Sequence, residues 1–113
     1  MRLAIVGSRK FQDYRLLCRV VGNVTGPINY IVSGGASGAD KLAERYAHEH
    51  GIGLVVYPAN WALYGKSAGY RRNQSIVANC DAVLAFWDGQ SRGTKHTIDI
   101  ARKSGVPVYV KEV

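Results

Sequence analysis

The chain lacks the materials for several common kinds of protein. Two cysteines, Cys18 and Cys80, cannot build a disulfide framework in 113 residues. Both fall in segments read as helical, where a reduced cysteine serves as a small apolar group. A reducing, cytoplasmic setting is therefore expected. No apolar run approaches the ~18 residues that a membrane helix needs. The opening Met1-Arg2-Leu3-Ala4-Ile5-Val6-Gly7 is too short and glycine-broken for a secretory signal, so no membrane association is expected. Acidic residues are scarce, 8 Asp+Glu against 15 Lys+Arg. The resulting net charge of +7 favours anionic partners, either a nucleotide-like small molecule or a nucleic-acid backbone. No Ser/His/Asp or Cys/His arrangement is legible. His48-Glu49-His50 looks metal-like, but residues two apart on a helix do not share a face. No metal and no cofactor is assigned.

What the chain does have is a regular alternation of short apolar runs and small-residue loops. The runs Leu3–Val6, Tyr30–Val32, Leu54–Tyr57 and Ala82–Phe86 read as strands, with a fifth over Val106–Val110. They show little alternation, the pattern of strands covered on both faces. Pro107 places the fifth at an edge or at a strand start. Helical spacing appears at Leu17, Val20, Val21 and Val24, again at Ala39, Leu42, Ala43, Tyr46 and Ala47, and at Ile98 and Ala101. A further helix is predicted from between Gly65 and Gly69 to about Asn79, with Ile76, Val77 and Cys80 on its apolar face. Right-handed crossovers then predict an α/β Rossmann-like three-layer sandwich with a mostly parallel five-stranded sheet. It would form one domain over residues 1–113.

In such a sheet the loops that follow the strands lie along one edge, where open parallel sheets bind ligands. They read Gly7-Ser8-Arg9, Gly34-Gly35-Ala36-Ser37-Gly38-Ala39-Asp40, Pro58-Ala59-Asn60-Trp61 and Trp87-Asp88-Gly89-Gln90-Ser91-Arg92-Gly93-Thr94. Small residues let backbone N–H groups approach an anion, and helix N-termini add a favourable dipole. The candidate ligand residues are Gly7, Ser8 and Arg9; Gly34, Gly35, Ser37, Gly38 and Asp40; Asn60 and Trp61; Arg71, Arg72 and Asn73; Trp87 and Asp88; and Ser91, Arg92, Gly93 and Thr94. Backbone amides of the three glycine loops are expected to take phosphates, with Arg9, Arg72 and Arg92 neutralising them. Trp61 or Trp87 would flank a base, the other being mainly structural. Arg71 and Arg72 point about 100° apart on a helix, so one can grip a ligand while its neighbour faces outward. The Gly34–Asp40 loop is not a dinucleotide fingerprint, because Ser33 replaces the first glycine and no acidic residue follows at about 20 positions. Gly65-Lys66-Ser67 is not a P-loop, because Asn60 stands where its leading glycine belongs.

These motifs, together with Gly65-Lys66-Ser67-Ala68-Gly69, Arg72-Asn73 and Asp81, resemble the YspA (DUF2493) group of the cpYpsA-related SLOG superfamily. The resemblance spans nearly the whole chain in the same motif order. It implies a Rossmann-like fold that binds nucleotides or nucleotide-derived molecules. The wider superfamily includes cytokinin-activating phosphoribohydrolases, DNA-processing proteins and sensor domains for ADP-ribose-type immune signals. Many relatives carry Asp where this chain has Asn60. The phosphoribohydrolase branch carries a catalytic Glu at the position of Thr97, preceded by a Pro-Gly-Gly that is missing here. N-glycosidic cleavage by that route loses its acid/base group.

The leading expectation is thus a small protein that binds a nucleotide-derived phosphate-bearing molecule, such as an ADP-ribose-type signal, as sensor or sequestering protein. Two alternatives stand beside it: a nucleotide hydrolase or glycosidase using Asp40 or Asp88, and a nucleic-acid-binding module. The resemblance also implies a homo-oligomer, for which the aromatic Trp61–Tyr70 segment offers a surface.

Overall fold

A computed structural model describes residues 1–113. Five strands, β1 (Arg2–Gly7), β2 (Tyr30–Ser33), β3 (Gly53–Val56), β4 (Ala82–Trp87) and β5 (Val108–Glu112), form one sheet. Its order is β3-β2-β1-β4-β5, and every neighbouring pair is parallel. Between the strands run α1 (Tyr14–Gly22), α2 (Ala39–Glu49), a short α3 (Trp61–Tyr64), α4 (Ala68–Ala78) and α5 (Arg92–Lys103). Local chemistry sets the helix starts: Asp13 accepts from the Leu16 amide (3.0 Å) and Asn60 from the Leu63 amide (3.0 Å).

Alternate residues of the central strands feed two apolar layers. Leu3, Ile5, Ile31, Leu84 and Phe86 pack against α1 and α2, through Leu17, Val21, Ala43 and Tyr46. Ala4, Val6, Val32, Val83 and Ala85 pack against α4 and α5, through Ile76, Val77, Ile98 and Ala101. Each fully buried Leu or Ile contributes about 1.5–3 kcal/mol. Phe11 stacks on Phe86 with ring centroids 4.9 Å apart and closes the first layer beside the loop after β1.

Three sequence expectations change. β3 is not covered on both faces: Leu54 and Val56 are exposed, because β3 is an edge strand that α2 covers only in part. Cys80 lies past the end of α4, buried in the link to β4. The loop read as Pro58-Ala59-Asn60-Trp61 ends one residue early, because Trp61 opens α3, and a 3₁₀ turn over Gly65–Ser67 then leads into α4. β5 begins after Pro107 and is the opposite edge, as the proline predicts. No helix is long and apolar enough to cross a membrane.

Candidate functional site

The strand order reverses direction between β1 and β4, the switch point at which open α/β sheets take ligands. A cavity of about 400 Å³ opens there. Gly7, Ser8, Arg9 and Lys10 come to it from the loop after β1, and Asp88, Gln90, Ser91, Gly93 and Thr94 from the loop after β4. Ala36 and Asp40 enter from the start of α2, and Arg72, Asn73 and Ile76 from α4.

The loops after β1 and β2 touch backbone to backbone. Gly38 has φ of 78°, and a Cβ there would stand 2.3 Å from the Ser8 carbonyl oxygen. Only glycine combines that dihedral with that approach. Gly34 serves a different purpose: a Cβ would meet the Arg72 guanidinium at 2.6 Å and the Asp40 carboxylate at 2.8 Å. Its bare backbone lets its carbonyl accept from Arg72 Nη1. Arg72 Nε donates to Asn73 Oδ1 at 3.0 Å. The Asn73 amide then reaches the Gly93 carbonyl (3.3 Å) and His96 Nδ1 (3.2 Å). One hydrogen-bonded chain thus ties the loop after β2, α4 and the start of α5 into a single frame, and it leaves the His96 ring proton on Nε2.

Asp40 is 6% exposed. Burial raises its carboxyl from 3.8 to about 6, and Glu44 pushes the same way; the Ala36 amide, Arg72 and Arg9 oppose the rise. Arg72 is drawn below its ordinary value, first by burial and then by Arg9, with Asp40 opposing. Neither Arg9 nor Arg72 is in an ion pair. Asp88 sits at the rim with its carboxyl lowered by hydrogen bonds from the Ser91 and Gln90 amides (2.8 and 2.9 Å) and from Ser8 Oγ (3.3 Å).

The expected amide cradle is only partly available. Ser8, Gly35, Ala36, Ser91 and Thr94 spend their N–H groups inside the loops, on Phe86, Ser33, Asp40, Asp88 and Ser91. The amides of Arg9, Ser37, Gly38, Arg92 and Gly93 donate to no protein acceptor. These free donors sit in the loop after β1 and at the N-termini of α2 and α5, where the helix dipole favours an anion. α2 has no side-chain cap to compete.

Several expected residues lie off the cavity. Arg71 turns outward: its guanidinium lies 4.5 Å from the Tyr64 ring centroid and its Nε donates to Ser67 Oγ. Asn60 caps α3. Trp87 donates from Nε1 to the Ser91 carbonyl (3.1 Å) and packs against the second apolar layer. Arg92 opens α5 with its side chain exposed. Trp61, Gly34, Gly35 and Ser37 line a separate hollow beside the cavity. Asp81 stands at the opposite end of the sheet, accepting from the Arg2 amide (2.7 Å) and guanidinium (3.3 Å).

Four other contributors were not among the candidate ligand residues. Gln90 lies inside the marked loop after β4 and Lys10 directly follows the marked loop after β1, but Thr97 and Ser33 carry no local signal of their role. Thr97 lines the cavity one turn into α5 and donates to the Gly93 carbonyl (3.2 Å). Ser33 is fully buried; its hydroxyl reaches the Asp40 carbonyl and Glu44 (both 3.2 Å) and accepts from the Gly35 amide.

Comparison with known proteins agrees with this architecture. DNA processing protein A (DprA) from Streptococcus pneumoniae has the same fold, with a TM-score of 0.79 at 20% identity. The match covers 96% of this chain and 49% of that one, so the chain spans about half of DprA's length. The Gene 61 protein of Mycobacterium phage D29 is 36% identical over 116 residues, covering 95% of this chain and 93% of that protein. A family model described as YspA, cpYpsA-related SLOG family matches residues 1–64, the stretch that holds the loops after β1 and β2. With that match over more than half its length, the chain belongs to the YspA, cpYpsA-related SLOG family.

Proposed function

We propose that the protein binds a nucleotide-derived, phosphate-bearing small molecule at the carboxyl edge of its sheet, as a sensor or sequestering protein. One observation carries the reading. Arg9 and Arg72, neither of them ion-paired, face one cavity that Gly93, with its free N–H group at the start of α5, also lines, and Ser37, with a free N–H group before α2, lines the adjoining hollow. Phosphate satisfies both kinds of group at once, by charge-assisted hydrogen bonds to guanidinium and by dipole-aligned bonds to amides. Asp40 and Asp88 add carboxylate acceptors suited to ribose hydroxyls. An ADP-ribose-type molecule fits this donor set, and family membership supports nucleotide derivatives as the class.

Binding without turnover is the reading favoured at Thr97, which offers a hydroxyl already engaged by Gly93 and no carboxylate. Self-association through Trp61–Tyr70 belongs to the same proposal, since Trp61, Leu63, Tyr64 and Tyr70 are all exposed. Light scattering at micromolar concentration tests it, a monomer alone contradicting it.

The direct test of function is mass spectrometry of small molecules released when the purified protein is denatured. A phosphorylated nucleotide derivative in stoichiometric amount is the expected result. Affinity for B-DNA with a log–log salt slope of about −0.9 per phosphate contact, with no small-molecule binding, would favour a nucleic-acid module instead.

A further inference from the structure

Asn73 is a buried amide between two neighbours of fixed polarity. Arg72 Nε can only donate, and it lies 3.0 Å from Asn73 Oδ1. The Gly93 carbonyl can only accept, and it lies 3.3 Å from Asn73 Nδ2. Turning the amide over would set donor against donor and acceptor against acceptor, so its orientation is fixed. The second hydrogen on Nδ2 is left for His96 Nδ1, 3.2 Å away. That nitrogen must accept, which it does only while it carries no proton.

His96 does not line the cavity. Its half-buried ring sits edge-on to Tyr70 of α4, with centroids 4.5 Å apart. The other titratable groups around it are Arg72, reached through Asn73, and Lys95 and Asp99 on its own helix. The strands under α5 present apolar residues to it. Asp99 favours the charged ring, but it is paired with Lys95 at 2.8 Å and burial outweighs it, so His96 titrates below its ordinary 6.5. Arg72 has one other protein partner, the Gly34 carbonyl on Nη1. Its hold on the cavity therefore depends on Asn73, and Asn73 on His96.

We infer that neutral His96 is a positioning residue for Arg72: acting through Asn73 it holds the guanidinium at the cavity, and a proton on Nδ1 releases it. The inference rests on the phosphate-binding proposal for its effect on a ligand, and adds control by protons to it. The frame is complete above 6.5 and is lost as pH falls through the lowered value. Its sign sets it apart. Acid also neutralises Asp40 and charges His96, and both changes attract an anion; only release of Arg72 weakens binding.

Calorimetry with sulfate, a dianion at every pH used, tests it on the wild type, His96→Asn and His96→Leu. Asn places near Nδ1 an oxygen that accepts at every pH, and Leu offers none. Circular dichroism checks that both variants fold. At about pH 8 His96→Asn should match the wild type within about 2-fold, and His96→Leu should bind about 5-fold more weakly, the worth of one hydrogen bond. At about pH 5 the wild type should bind about 5-fold more weakly than His96→Asn, a ratio from which the Asp40 contribution cancels. A ratio that stays constant with pH, or that turns in favour of the wild type in acid, refutes the inference. The ¹⁵N resonance of Arg72 Nε, followed without sulfate, is the second readout. It should show a step at the His96 midpoint that His96→Asn lacks. If that step is present and sulfate does not bind, the positioning role stands and the phosphate reading fails. If the step is absent, the positioning role is refuted whatever sulfate does.

Discussion

Replacing Asp40 by Asn should make the protein more stable above neutral pH. The carboxyl lies under the loop after β2, 6% exposed, with Glu44 on its own helix, Arg72 on α4 and Arg9 on the loop after β1 as its charged neighbours. A proton held up to about 6 in the folded state, against 3.8 in the unfolded chain, favours folding while Asp40 is protonated. That contribution is complete below 3.8 and is lost as pH rises through about 6. At about pH 8 ionised Asp40 therefore costs the folded state about 3 kcal/mol relative to its protonated form. Asn keeps an oxygen to accept from the Ala36 amide, now at 3.1 Å, and carries no charge to desolvate. The variant should gain most of that ~3 kcal/mol, a rise of about 10 °C in melting temperature for a chain of this size. At about pH 4 the gap should shrink below ~1 kcal/mol, because wild-type Asp40 is then protonated when folded. Thermal melts of both proteins across pH 4–8 measure this. Equal melting temperatures at about pH 8, or a variant that is less stable there, would refute the burial argument. The retained cost is what a functional carboxylate in a cavity would show, since stability alone selects Asn.

The neighbouring arginines separate by role. Arg72→Ala should weaken pyrophosphate binding by about 1.5–3 kcal/mol through loss of a charged hydrogen bond, whereas Arg71→Ala should leave calorimetric affinity unchanged because Arg71 lies over Tyr64. Gly38→Ala should destabilise the fold by roughly 2 kcal/mol or more, since strain at positive φ adds to collision with the Ser8 carbonyl; urea unfolding reads the loss, and a midpoint unchanged from wild type contradicts it. Cys80, with its thiol pushed up to about 11 by burial first and by Asp81 next, should react with a thiol reagent at neutral pH only on unfolding, while partly buried Cys18 should react faster in the native protein. Two equal native rates would overturn that contrast.

The fold was legible because parallel strands announce themselves. Leu3–Val6 and Ala82–Phe86 are continuous apolar runs, and each is followed by glycine or a turn and then by a helical period. Strand position was harder to read. Gly53–Val56 is as apolar as a central strand, and only the crossover that sends β4 to the far side of β1 makes it an edge. At the site, local loops were readable but their long-range partners were not. Arg72 and Asn73 sit in a marked motif, yet the Gly34 carbonyl, Gly93 carbonyl and His96 ring that hold them are 38, 20 and 23 residues away. The amide cradle was overestimated for a related reason. Glycine-rich sequence shows where N–H groups can approach an anion, but not which of them Ser33, Asp40 and Asp88 have already taken.

The central claim is that free amides and two guanidiniums at the carboxyl edge form one anion site. Amide chemical shifts of ¹⁵N-labelled protein during titration with inorganic pyrophosphate test it residue by residue. The account predicts saturable shifts at Arg9, Ser37, Gly38 and Gly93, with Gly26 and Asp81 at the other end of the sheet unmoved. Shifts confined to that other end, or none at millimolar pyrophosphate, would contradict it.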